Sequence, residues 1–132
     1  MDTPVRHPMF ARVYHWTSAK AENAGQAEHR RELLAGLHGR VLDLVAGNGL
    51  NFEHYPRAVR EVVAVEPEPY LRRRAVEIAV EAPVPVRVVD ALAGELPFED
   101  SSFDAAVVSL VLCTVPDVDA ALAELRRVIR PG

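Results

Sequence analysis

A single cysteine, Cys113, is all that the chain contains, so no internal disulfide can form and a cysteine-built metal site is excluded. No apolar run approaches the ~20 residues that a membrane span needs. The first residues do not resemble a cleaved leader either, since Asp2, Arg6 and His7 are mixed with prolines there. Positive charge is not in excess, and the formal net charge of -4 argues against a partner held through phosphate contacts. Arginines do group at Arg30-Arg31 and at Arg72-Arg73-Arg74, but acids stand close to both groups, and solvated helix faces are the simpler reading. Internal repeats and low-complexity tracts are missing as well. The expectation left by these absences is a cytoplasmic protein with no metal, no nucleic-acid partner and no membrane partner. Its 132 residues suffice for one small domain. Hydrophobic residues at 49% and charged residues at 26% are ordinary for a globular fold.

Against that background one stretch stands out, Val41 to Asn51, VLDLVAGNGLN. An apolar run stops abruptly at Ala46-Gly47-Asn48-Gly49, which reads as a buried strand ending in a tight turn. Glycines there can take positive φ and let a ligand lie against the main chain. Further apolar strands are expected at Val62–Val65, Val86–Val89 and Ala105–Val111, apolar on both faces apart from Ser109. Helical segments are expected between them. Pro67-Glu68-Pro69 starts one, whose Leu71, Ala75, Ile78 and Ala79 share a face and leave the three arginines to water. Asp117 caps another, with Val118, Ala121, Leu122, Leu125, Val128 and Ile129 as its apolar stripe. Before the first strand, Met9 to Leu37 lacks proline and reads as helix, broken near Thr17-Ser18. Alternating strands and helices with both faces of the strands apolar mean a parallel sheet covered on both sides. The fold class expected is therefore α/β, a Rossmann-like three-layer arrangement of about four mostly parallel strands. Residues 1–39 form the N-terminal arm and helices, and residues 40–132 form the core.

Polar or small residues stand at the carboxyl end of each strand, where open α/β sheets bind their ligands. They are Ala46-Gly47-Asn48-Gly49, then Glu66, then Asp90, then Ser109. Glu66 follows the glycine turn by ~20 residues, the spacing at which an acid accepts hydrogen bonds from ribose hydroxyls. Asp90 could accept from an exocyclic amine such as that of adenine. A dinucleotide site wants G-x-G-x-x-G, and here Leu50-Asn51-Phe52 follow instead, so the third glycine is missing. A nucleoside ligand without phosphates fits better, and S-adenosylmethionine is such a ligand.

VLDLVAGNGLN resembles the first motif of the class I S-adenosylmethionine-dependent methyltransferases. VVAVEPEP resembles their second motif, VVDALAGELPFEDSSFDAAVVSLVLCTV the third and fourth, and LAELRRVIRPG the helix that follows. The GNGLNFEHYP and SLVLCTVPD wording is similar to the small-molecule branch, which includes quinone and thiol methyltransferases. The resemblance covers about Arg40 to Gly132, and it implies the strand order 3-2-1-4 for the four strands. It implies S-adenosylmethionine as cofactor and a small-molecule methyl acceptor. It further implies that Ala46, Gly47, Asn48 and Gly49 face the cofactor with backbone groups, and that Asp43 helps to place its amino end. Glu66 would hold the ribose hydroxyls with Pro67 beside it. Asp90 and Ala91 would border the adenine, and Ser109 would lie near the methionine part.

Methyl transfer from a sulfonium needs orientation more than acid–base groups, so no triad is expected and no catalytic residue is assigned. His15 and His54 are the general-base candidates worth naming, although each reads more simply as a surface histidine. Val45 departs from the family pattern, which has glycine there, and this predicts weakened cofactor binding. The chain also stops at Pro131-Gly132, where family members continue into further strands, so it reads as truncated. With four strands the last would be an apolar edge, open to self-association. Two other readings follow from these features: a catalytically incompetent remnant serving as an interaction module, and an NAD-type oxidoreductase domain.

Overall fold

The computed structural model describes residues 11–14, 24–44, 46, 49–109 and 117–131. Five strands form one sheet: β1 (Ala11–Tyr14), β2 (Gly39–Leu44), β3 (Val59–Val65), β4 (Val86–Val89) and β5 (Ala105–Ser109). Their spatial order is β1-β5-β2-β3-β4, and every pairing is parallel. Taking β2 to β5 as the four expected strands, the order is the anticipated 3-2-1-4, with β1 added beyond the fourth.

That added strand corrects two expectations. Ala11–Tyr14 pairs with β5, Ala11 opposite Ala106 and Tyr14 opposite Ser109, where the lack of proline had pointed to helix. The reason is tertiary: β5 carries an unfilled row of backbone donors and acceptors, and Val13 and Tyr14 are good strand formers. Consequently β5 has β2 on one side and β1 on the other, so it is not the exposed edge through which self-association was expected.

Three helices, α1 (Ala24–Leu34), α2 (Pro69–Ala79) and α3 (Val118–Val128), cover the sheet. The two-residue alternation of β2 divides the core. Leu42 and Leu44 point to one face and pack in a cluster with Ala121, Leu125, Val128 and Ile129 from α3 and its end. Val41 points to the other, joining Leu34 and Leu37 from α1 and its end, Ala75 of α2, and Phe52 and Tyr55. Each fully buried aliphatic side chain contributes roughly 1.5–3 kcal/mol, which is what holds the layers together.

The helix starts are capped as the sequence suggests. The Glu68 carboxylate accepts from the Leu71 N–H at 2.8 Å with Pro69 in the first turn, and Asp117 accepts from the Ala120 N–H at 3.0 Å. On α2, however, Ile78 is 39% exposed and Arg72 is not simply turned to water. A short 3-10 turn, Phe52–His54, is all that follows the glycine turn before Pro56.

Candidate functional site

The register lines up the strand ends. Leu44 of β2 stands opposite Val65 of β3 and Val108 of β5, and Val65 stands opposite Val89 of β4. The next residues along each strand therefore form a row at the carboxyl edge of the sheet, with neighbouring strands roughly 4.8 Å apart. In that row are Glu66 after β3, Asp90 after β4 and Ser109 ending β5. Ala46 continues the row after β2, its N–H donating to the Val65 carbonyl at 2.9 Å. Four of the expected positions are thus brought to one edge by pairing alone. Gly47, Asn48 and Val45 lie outside the described residues, as do His15 and Cys113.

Gly49 completes the turn. It sits at φ +85°, in the left-handed region, and its N–H donates to the Ala46 carbonyl at 3.1 Å. A Cβ at this position would come within 2.8 Å of the Phe52 ring. Both backbone conformation and space therefore demand glycine here.

Below the turn lies a buried polar group that the sequence only half disclosed. Asp43 is 0% exposed on the penultimate position of β2, on the face covered by α1 and α2. Its Oδ2 accepts from the Tyr55 hydroxyl at 2.9 Å and from Asn51 Nδ2 at 3.4 Å. Its Oδ1 is buried with no hydrogen-bond partner among the described residues. Burial pushes the Asp43 carboxyl up to about 7, against the opposing pull of the Tyr55 and Asn51 hydrogen bonds and the Arg30 charge. Arg30, 1% exposed on α1, donates from Nη1 to Asn51 Oδ1 at 3.1 Å. Arg30, Asn51 and Tyr55 were missed in the sequence. Arg30 was read there as part of a solvated face, and nothing local marks a contact made over 21 residues.

The remaining acids differ from one another. Glu66 is only 2% exposed, and its Oε2 accepts from the Glu68 N–H at 3.0 Å, so the following turn fixes its carboxylate. Asp90 is open to solvent, and Arg72 of α2 pairs with it at 3.1 Å. The same Arg72 guanidinium donates to the carbonyls of Glu66 and Pro67, at 3.1 and 3.0 Å, tying the ends of β3 and β4 together. Beside Asp90 and Ala91 opens a cavity of about 510 Å³ lined also by Leu92, Glu95, Leu96 and Pro97. His54, in contrast, is not the surface histidine expected: its side chain is 6% exposed, with Nε2 3.4 Å from Glu53 within the 3-10 turn.

A parallel α/β/α sheet with a glycine turn after its first core strand and carboxylates at the next strand ends defines a class I nucleoside-binding fold. Residues 42–132 match the family described as Methyltransferase domain. The chain is 42% identical over 95 residues to the demethylmenaquinone methyltransferase of Thermobifida fusca, covering 70% of this chain and 39% of that one. It is 36% identical over 120 residues to the demethylmenaquinone methyltransferase of Renibacterium salmoninarum, covering 82% and 46% respectively. The YcgJ protein from Bacillus subtilis superposes with a TM-score of 0.71 at 27% identity, over 82% of this chain and 47% of that one. An S-adenosylmethionine-dependent methyltransferase from Aquifex aeolicus shares the fold, with a TM-score of 0.69 at 20% identity over 85% of this chain and 65% of that one.

The chain therefore belongs to the class I S-adenosylmethionine-dependent methyltransferases, and S-adenosylmethionine is the cofactor of the family. It spans less than half the length of the two demethylmenaquinone methyltransferases. The donors and acceptors at the strand ends fit that cofactor. Among the described residues Asp43 Oδ1 is an unsatisfied buried acceptor below the turn, and Glu66 is a fixed carboxylate one strand away.

Proposed function

We propose that this chain carries the cofactor-binding half of a methyltransferase acting on a small molecule of the quinone class. The single observation that carries the proposal is the row of Ala46, Glu66, Asp90 and Ser109 set by strand register at one edge of the sheet. The likeness to demethylmenaquinone methyltransferases supplies the acceptor class.

On this reading Asp43 accepts from the ammonium end of the cofactor, for which Oδ1 is the open acceptor. Ala46, Gly47, Asn48 and Gly49 offer main-chain groups along the turn. Glu66, with Pro67 beside it, accepts from the ribose hydroxyls. Asp90 and Ala91 border the adenine next to the cavity they line, and Ser109 stands by the methionine portion. The bound cofactor supplies a methyl group on a cationic sulfur, a leaving group good enough that orientation outweighs acid–base help. The protein's part is then to hold that methyl in line with the acceptor and to exclude water from it. The oxidoreductase reading loses its ground, because the missing third glycine and the family agree. The interaction-module reading lost its premise when β1 covered β5.

The test is methyl transfer to demethylmenaquinone, offered in oxidised and reduced forms, with isotopically labelled cofactor. Label recovered in the quinone together with S-adenosylhomocysteine is the expected result. Cofactor binding with no label in either form would set aside the quinone class and leave another small acceptor.

A further inference from the structure

The buried arginine of α1 has no role in the site as described so far, yet it lies two hydrogen bonds from Asp43. A guanidinium removed from water is costly unless the surroundings compensate it. Arg30 is 1% exposed, and its bond to Asn51 directs that amide so that Nδ2 faces Asp43. Asn51 and Tyr55 both donate to the same oxygen, Oδ2, and so leave Oδ1 as the acceptor that still needs a donor. The titratable and charged groups facing Asp43 among the described residues are Arg30 of α1, Tyr55 after the 3-10 turn, and Glu66 at the end of β3. Of these only Arg30 brings positive charge.

We propose that Arg30 is a positioning residue for the cofactor, holding Asp43 through Asn51 as an ionised carboxylate with one oxygen presented to a ligand ammonium group. The inference rests on the cofactor reading of the site given above. Physically, the Arg30 charge favours the carboxylate over the acid, whereas burial and the neighbouring Glu66 charge favour the acid. Asn51 transmits orientation, because its amide can satisfy Arg30 with Oδ1 only by turning Nδ2 toward Asp43. Ligand affinity is then linked to Asp43 ionisation, rising with pH as the carboxyl loses its proton.

S-adenosylhomocysteine, which carries the same amino-acid end, is titrated calorimetrically into the wild type, Arg30→Met, Arg30→Lys and Asn51→Asp between pH 5.5 and 9. The wild type should bind more tightly as pH rises, with a midpoint near the Asp43 value of about 7. Arg30→Met should move that midpoint up by about one unit, which weakens binding by about fivefold at pH 7 and by about tenfold well below both midpoints. The two proteins should converge at the alkaline end, where Asp43 is ionised in both. Arg30→Lys should restore the wild-type midpoint. Asn51→Asp keeps a partner for Arg30 but takes away the donor to Asp43 and adds a negative charge, so its midpoint should also rise. That variant keeps the test decisive if Arg30→Met fails to fold. Equal loss of affinity at every pH, or midpoints that do not move in Arg30→Met or Asn51→Asp, overturns the proposal and leaves the cofactor reading intact. Absence of binding by the folded wild type overturns both.

Discussion

Asp43 shows how a single buried group can set function against stability. Its carboxyl lies near 7 in the fold and at 3.8 when unperturbed, raised above all by burial. A carboxyl raised on folding leaves stability intact below its unfolded value and takes it away as pH climbs through the folded one. Between about pH 4 and pH 8 this site should cost the fold about 4 kcal/mol. Asp43→Asn, which cannot ionise, should escape that loss. Its melting temperature above pH 7 is expected to exceed that of the wild type, while its affinity for S-adenosylhomocysteine falls. Thermal melts across pH check the first part; an identical pH profile for the two proteins would contradict it. At this scale the sequence was legible wherever the chemistry was local. Glu66 stands at a fixed spacing from a glycine turn, so pattern singled it out, whereas Asp43 was singled out by the family resemblance. Arg30, Asn51 and Tyr55 reach Asp43 only through tertiary packing, and an arginine in a polar helix looks solvated until its surroundings are known.

Among the elements, α3 illustrates a side chain whose role exceeded its pattern. In the last turn of α3, Arg127 stands at the negative end of the helix dipole. In the fold it donates to Glu124, to Asp100 and to the carbonyls of Leu96 and Phe98, while Glu124 accepts from the Leu96 N–H. One guanidinium thus fastens the loop after Ala91 to α3, beside the cavity next to Asp90. The Arg127 hydrogen bond holds the Glu124 carboxyl below its usual value, against partial desolvation. A depressed carboxyl contributes stability above its unfolded value that disappears as pH falls through the folded one. Arg127→Met should therefore lower the melting temperature at neutral pH and flatten its decline in the acid range below the normal carboxylate value. Equal slopes in that range for both proteins would show that the pair contributes nothing. The elements with strong periodicity, α2 and α3, and the all-apolar strands were readable, because burial repeats their spacing. β1 was not: a four-residue strand has too little pattern to compete with helix propensity, and the neighbouring strand decides it.

Across the whole molecule, parallel pairing does the work of assembling the site. No single stretch contains it; residues 43, 66, 90 and 109 converge because strands β2 to β5 run the same way in matched register. That convergence was foreseeable from four apolar runs, each ending in a polar or small residue. The order of the strands followed from the family resemblance, whereas the extra strand beside β5 had to be seen. The consequence is that the described candidate positions share one edge in this chain, although the chain spans less than half of the demethylmenaquinone methyltransferases it resembles.

The measurement that tests this most directly is calorimetric titration of the chain with S-adenosylhomocysteine, beside a Glu66→Ala variant of matched fold. Glu66 is buried and fixed by the Glu68 N–H, so its loss removes both acceptors meant for the ribose. The account predicts one site per chain with affinity well below millimolar, weakened at least about tenfold in Glu66→Ala, as expected when charged hydrogen bonds worth roughly 1.5–3 kcal/mol are lost. A folded wild type that shows no binding at millimolar ligand, or a variant that binds as tightly as the wild type, would contradict it.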